Sequence, residues 1–320
     1  MGENGYIFYS GGTGPQEEIF ISKEEYDKIP LMREIVYKLH YVEEMFLMLT
    51  NSLLDFNQTL FRLASEYFAS RRLKNHVSSM SRVAINQAAL NYLSTLNMYL
   101  EYLYPHKDKP GDFKVDVALR DDARIGAAQG LRNFIQHSRC FPLTLKYPQA
   151  LCGDGISLSS LVVLIELDSM NIENDSRIGK GTREKLLKLR ANGEKADAYE
   201  ILNSSYEAVR EIHKSVRESE LYASDGGAAI KFLRNYISNY VEKNVFYVRC
   251  ANDRDKLGCC GTIPYGGDRH IEFIDYMSKT YRCDKTTTKN YITNAPEAFV
   301  TRIAKRDFTA CLAERNSRGS

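Results

Sequence analysis

No apolar run in this 320-residue chain approaches the roughly 20 residues that cross a bilayer, so a membrane-spanning protein is not expected. The opening Met1-Gly2-Glu3-Asn4-Gly5 lacks the basic-then-apolar pattern of a signal peptide, and the expected compartment is the cytoplasm. Charge of one sign is also missing: 43 Lys and Arg stand against 41 Asp and Glu, a net charge of +2. With a pI near 8.0 the chain is no general nucleic-acid binder, and any RNA contact must come from local basic patches. Seven cysteines, an odd number, form no Cys-x-x-Cys pair, which argues for a reducing environment and free thiols. A zinc site built from Cys250, Cys259, Cys260, Cys283 and His270 is therefore not expected, nor is any other metal or cofactor. The glycine cluster Gly11-Gly12-Thr13-Gly14-Pro15 lacks the Lys-Ser/Thr of a phosphate loop and reads as a turn.

What remains is ordinary for a globular protein: 43% hydrophobic and 26% charged residues, enough for one large or two medium domains. Residues 6–10 read as a short strand. From Ile35, the positions Leu39, Val42, Phe46, Leu49, Leu53, Phe56, Leu60, Leu63 and Tyr67 alternate steps of four and three, the seam of a long bundle helix. Ser52, Asn57 and Gln58 fall off that seam, and Glu43, Glu44, Asp55 and Arg62 mark a face expected to be wet. After the basic break at Arg71-Arg72-Leu73-Lys74-Asn75, a second helix is expected over 77–104, its seam carrying Val83, Leu90, Leu93 and Leu100. Asn86 and Asn97 occupy seam positions where leucine would fit, so their amides need partners: each other, backbone, or the polar residues of the next helix.

That next helix spans about 116–138, with Ile125, Ala128, Leu131 and Ile135 as its core stripe and Gly126-Ala127-Ala128 as a place of close approach. Two strands follow, near 143–147 and 161–165, a hairpin inserted at about 142–168. A short helix at 183–190 precedes a fourth long one at 195–221, with Tyr199, Leu202, Tyr206, Val209, His213 and Val216 on its seam. His213 reads as a hydrogen-bonded core histidine. Asp225-Gly226-Gly227 marks a domain boundary, followed by a helix at 228–242, a strand at 245–249 and helices near 271–281 and 286–303. The fold expected is mainly α: an N-terminal extension (1–30), an antiparallel helical bundle with the hairpin insert (31–222), and a small mixed α/β C-terminal subdomain (223–320).

The third helix holds the stretch with chemistry in it, Leu131-Arg132-Asn133-Phe134-Ile135-Gln136-His137. Asn133 and His137 share one row of the helix and Arg132 flanks it; Pro142 ends the helix soon after. Arg33 and His40, and Arg71 and His76, have similar spacings, but neither pair has an Asn after the arginine. Leu233-Arg234-Asn235-Tyr236-Ile237-Ser238-Asn239 echoes the stretch, yet Asn239 cannot take up a proton.

An arginine, an asparagine and, four positions later, a histidine on the third helix of a bundle resemble the signature of the HEPN superfamily. The resemblance covers about 31–222. It implies a helical dimer in which two copies of the motif face one cleft, and a metal-independent endoribonuclease acting on single-stranded RNA, in settings such as phage defence or toxin control. RNA cleavage through the 2′-hydroxyl needs a base, a cation on the phosphorus oxygens and an acid for the leaving 5′-oxygen. Histidine suits both proton roles near neutrality, and arginine's fork holds phosphate at two points. The implied roles are His137 as general base or acid, Arg132 as phosphate ligand and Asn133 as orienter. Arg139, Arg71 and Arg72 are candidate RNA contacts. The alternative is a non-catalytic HEPN-like dimer that binds nucleotide or RNA as a sensor or interaction module, with a regulatory protein partner also in view.

Overall fold

The structure is a computed structural model. It describes residues 5–10, 18–70, 75–105, 111–137, 140–146, 149–151, 157–159, 161–170, 172–175, 178–238, 245–250 and 267–280. These residues are mainly helical. In chain order the elements are β1 (Gly5–Ser10), β2 (Glu18–Ser22), α1 (Lys23–Ser70), α2 (Asn75–Leu103), α3 (Ala123–His137), β3 (Leu143–Lys146), β4 (Gln149–Leu151) and β5 (Ser157–Ser159). There follow β6 (Val162–Glu166), α4 (Lys180–Ala191), β7 (Lys195–Asp197), α5 (Ala198–Glu218), α6 (Gly227–Tyr236), β8 (Val245–Cys250) and α7 (Gly267–Thr280). Contacts divide the chain into two units, Met1–Glu44 with Val216–Arg282, and Met45–Ser215 with Cys283–Ser320. The helix expected at 286–303 lies outside the described residues.

In the first unit, β1 pairs antiparallel with β2 on one side and with β8 on the other. The two strands read from sequence thus find each other, and β2 is a third that the sequence did not announce. Helix α1 starts at Lys23, earlier than expected, because Ser22 caps its first turn: the Ser22 hydroxyl accepts from the Glu25 N–H at 3.2 Å and donates to the Glu25 carboxylate at 3.2 Å. Pro30, the last residue of the expected N-terminal extension, sits exposed within the helix. Rings join α7 to α1, His270 lying edge-on to Tyr37 and His40 at 4.8 and 4.3 Å between centroids.

Glu43 corrects the sequence reading most sharply. Expected on the wet face, it is fully buried. Arg217 grips it at two points, Nε to Oε1 at 2.8 Å and Nη2 to Oε2 at 2.7 Å, and the Tyr222 hydroxyl donates to Oε1 at 2.5 Å. Burial, then the Glu43 charge, pushes the Tyr222 phenol far above its ordinary range, so it stays a donor. The Asp225-Gly226-Gly227 break is not a break either: a helical turn at Leu221–Gly226 runs into α6. Gly226 serves packing, since a Cβ there would lie 2.5 Å from Leu39 Cδ1.

In the second unit, the α1 seam is buried as read: Phe46, Leu49, Leu53, Phe56, Leu60 and Leu63. Asn57, expected in water, is buried too. Paired residues give the helix directions. Phe46 stacks on His213 while Thr50 bonds Tyr206 at 2.8 Å, so α1 and α5 run antiparallel. Tyr92 bonds Ser205 at 2.9 Å and Tyr99 bonds His213 Nδ1 at 2.7 Å, so α2 and α5 run parallel. His213 is the hydrogen-bonded core histidine its seam position implied. The α2 seam differs from expectation: Val83 is exposed and Leu90 half-buried, while Ile85, Tyr92, Leu96 and Tyr99 carry the burial beside Leu93 and Leu100.

The inserted hairpin is present as β3–β6, antiparallel from Leu143↔Ile165 to Lys146↔Val162, but it gains a third strand. That strand is β7, paired with β6, and it takes residues 195–197 from the expected start of the fourth helix. Gly193, at a φ of 152° that disfavours other residues, turns the chain from α4 into it. Helices α3 and α4 approach closely at Gly130, where a Cβ would lie 3.2 Å from Lys185 Cβ. Gly126, expected to serve that purpose, faces open space.

Two outcomes follow for stability. Glu43→Ala leaves a guanidinium largely out of water without its counter-charge, and should cost about 3–5 kcal/mol in chemical denaturation. Gly126→Ala should gain about 0.5–1 kcal/mol from helix propensity, whereas Gly130→Ala should show no such gain, because its Cβ meets α4.

Candidate functional site

Helix α3 is set in place from both ends. At its start, the Asp122 carboxylate accepts from the Arg124 N–H at 2.7 Å, and the Arg124 guanidinium closes over the same carboxylate. That side-chain contact from Arg124 holds the Asp122 carboxyl below its ordinary range. Arg124 also reaches Glu211 on α5 at 3.1 Å. Beyond its far end, the buried amide of Asn86 on α2 holds the backbone of Phe141. Its Oδ1 accepts from the Phe141 N–H at 2.8 Å, and its Nδ2 donates to the Arg82 carbonyl at 3.0 Å and, more weakly, to the Phe141 carbonyl at 3.5 Å. Of the partners considered for Asn86, backbone is the one found. Asn97 is half-buried and donates to Glu101 Oε1 at 2.6 Å.

The buried face of α3 consists of Ile125, Ala128, Leu131 and Phe134; Ile135, expected in the stripe, is only half-buried. The adjoining face, Gln129, Arg132 and Asn133, opens on a cavity of about 610 Å³. Across it stands the start of α4, Gly179-Lys180-Gly181-Thr182 with Lys185, and Asn97, Glu101, Val117, Arg120 and Asp121 complete the wall. Paired residues show how the two helices meet: Asn133 Nδ2 donates to Thr182 Oγ1 at 3.0 Å, and Lys185 Nζ donates to Gln129 Oε1 at 2.7 Å.

Asn133 has two jobs here. Its amide oxygen accepts from Arg132 Nη1 at 3.0 Å while its nitrogen holds Thr182, so it ties the guanidinium to the mouth of α4. Thr182 accepts that bond and keeps its own hydroxyl proton to donate. Arg120 lies over the Tyr104 ring, 5.7 Å from its centroid. Arg132 Nε and Arg120 Nη1 are buried nitrogens with no acceptor among the described residues. The wall carries four cations, Arg120, Arg132, Lys180 and Lys185, against two acids, Glu101 and Asp121, an excess of two positive charges. Such a volume falls in the ~300–1,000 Å³ range of small-ligand sites.

Of the residues singled out from sequence, Arg132 and Asn133 line this cavity together. His137 is the last residue of α3, one turn beyond Asn133 on the same row, and its side chain lies outside the described residues. Arg71, Arg72 and Arg139 also lie outside them, as do Cys259, Cys260, Cys283 and the side chain of Cys250. Among the described residues, no three His, Cys, Asp or Glu side chains gather as a metal site would require. The echo at Arg234 is spoken for by an ion pair with Asp275 on α7. Lys180, Thr182, Lys185 and Arg120 were missed, although Gly-Lys-Gly-Thr at a helix start was a readable sign of an anion seat. No protein-family model, curated protein or solved structure matches the chain.

If Asn133 aims Arg132 at an anion in the cavity, then Asn133→Ala should weaken binding of inorganic phosphate roughly tenfold. Asn133→Asp, which loses the Nδ2 anchor on Thr182 and sets a carboxylate against Arg132, should weaken it at least as much, with melting little changed in either variant.

Proposed function

We propose that this protein is a HEPN-type endoribonuclease. The observation that supports the reading best is the setting of Arg132, whose guanidinium is held by Asn133 at the wall of an open cation-lined cavity rather than sealed in a core. In this reading Arg132 takes the non-bridging oxygens of the scissile phosphate. An imidazole, His137 of one copy, removes the 2′-hydroxyl proton as the 2′-oxygen bonds to phosphorus. As the bond to the 5′-oxygen breaks, His137 of a second copy protonates that oxygen. The products are a 2′,3′-cyclic phosphate and a free 5′-hydroxyl. One histidine cannot be base and acid at once, which is the chemical reason for two copies around one substrate.

A second reading has its own observation: the described lining of the cavity carries Arg and Lys but no imidazole or thiol, the side chains that ordinarily exchange protons near neutrality. Arg and Lys suffice to bind a nucleotide or RNA without cutting it.

Incubating single-stranded RNA with the protein in chelator separates the two. Cleavage to cyclic-phosphate ends is expected, reduced about 10²–10⁴-fold by His137→Ala and about 10²–10³-fold by Arg132→Ala. Binding without cleavage, or cleavage that survives His137→Ala, removes the nuclease reading. A monomer in light scattering under the assay conditions removes the shared site.

A further inference from the structure

We propose that α7 sits on α1 through a pH-sensitive contact, closed while the His40 imidazole is neutral and loosened at the first turns of α7 when His40 takes up a proton. His40 lies on α1 and His270 in the first turn of α7, their ring centroids 4.3 Å apart and their planes nearly perpendicular. Phe273, one turn further along α7, tilts against the same His40 ring at 4.8 Å, and Tyr37, one turn before His40, meets His270 edge-on at 4.8 Å. The His270 Nδ1 is buried and has no hydrogen-bond partner among the described residues. Aromatic packing against α1, with no hydrogen bond at that nitrogen, therefore seats this turn.

His40 keeps 21% of its side-chain surface exposed. Burial, then the neighbouring His270, holds its imidazole below the ordinary value. Glu44, half-exposed, pulls the other way from 4.0 Å, beyond hydrogen-bond reach of Nδ1. Arg33 adds a positive charge to the cluster, lying over the Tyr37 ring at 5.5 Å and donating to its hydroxyl at 2.6 Å. On α7, Arg269 and Glu272 stand beside His270 in the chain, both exposed and opposite in sign. From α6, Arg234 pairs with Asp275, and from α5, Arg217 grips Glu43 and donates to the Met277 carbonyl at 3.3 Å. These contacts, with the buried Ile274 and Met277, hold the far half of α7 whatever the state of His40, so the loosening is confined to the first turns.

The sign follows from linkage. An imidazole held below its ordinary value while α7 is seated, and restored to it when α7 lifts, binds a proton more readily in the lifted form. Seating is therefore strongest above pH ~6.5, weakens as the pH falls through that value, and stops weakening where the seated His40 also charges.

The test is hydrogen exchange at the α7 amides, corrected for the pH dependence of the chemical step, with the His40 imidazole followed by NMR in the same full chain. Between pH 7.5 and pH 5.5, opening at Ile271 through Ile274 should rise by up to about tenfold, with Met277 through Thr280 unchanged. His40→Phe, which keeps an aromatic ring and takes no proton, should abolish the rise. A rise that persists in His40→Phe, or opening in the unaltered protein that does not change with pH, overturns the proposal. If His40→Phe lifts α7 at every pH, the unaltered protein decides. A His40 imidazole titrating below about 6.5 there supports the contact, and one titrating at or above that value overturns it.

Discussion

A guanidinium drawn partly out of water needs acceptors, and among the described residues Arg132 finds one, the Asn133 amide oxygen at 3.0 Å. Much of the site's geometry serves that single contact. Asn133 can hold Arg132 only because its nitrogen is anchored on Thr182. Thr182 is in reach only because Gly130 lets α4 come close to α3, and because Arg183 secures the loop before α4. Among the described residues, the Arg132 Nε is left without an acceptor.

The two functional readings share this phosphate-gripping half and part at the proton. Cations that stay charged across physiological pH can hold and polarise a phosphate, but they cannot take the 2′-hydroxyl proton. His137, the residue that could do so, is the last of α3, a helix that Asp122 fixes at the start and that is followed closely by the backbone that Asn86 fixes at Phe141.

Where apolar residues repeat, sequence was a good guide. The α1 seam from Leu39 to Leu63 is buried throughout, and His213 is the core histidine its position implied. The paired strands at β1–β8 and β3–β6 fall where β-rich runs stood. What could not be read depends on partners far away in the chain. Glu43 looks like any charged residue of a wet face, and Arg217 and Tyr222 make it a buried one. Gly226 looks like a break, and Leu39 makes it a packing site. At the candidate site, Arg132 and Asn133 were visible from their spacing, while the facing wall was not: Thr182 and Lys185 meet α3 only because two helices pack antiparallel.

The hydroxyl-bearing side chains of the bundle have a consequence of another kind. A purely oily interface between long helices can slip by a turn and still bury the same area. Here Thr50–Tyr206, Tyr92–Ser205 and Tyr99–His213 match at different heights along α5, and any slip would strand several of them at once in a dry core. These pairs act as a vernier on helix sliding, adding little net attraction while excluding the neighbouring alignments that leucine and phenylalanine alone would tolerate.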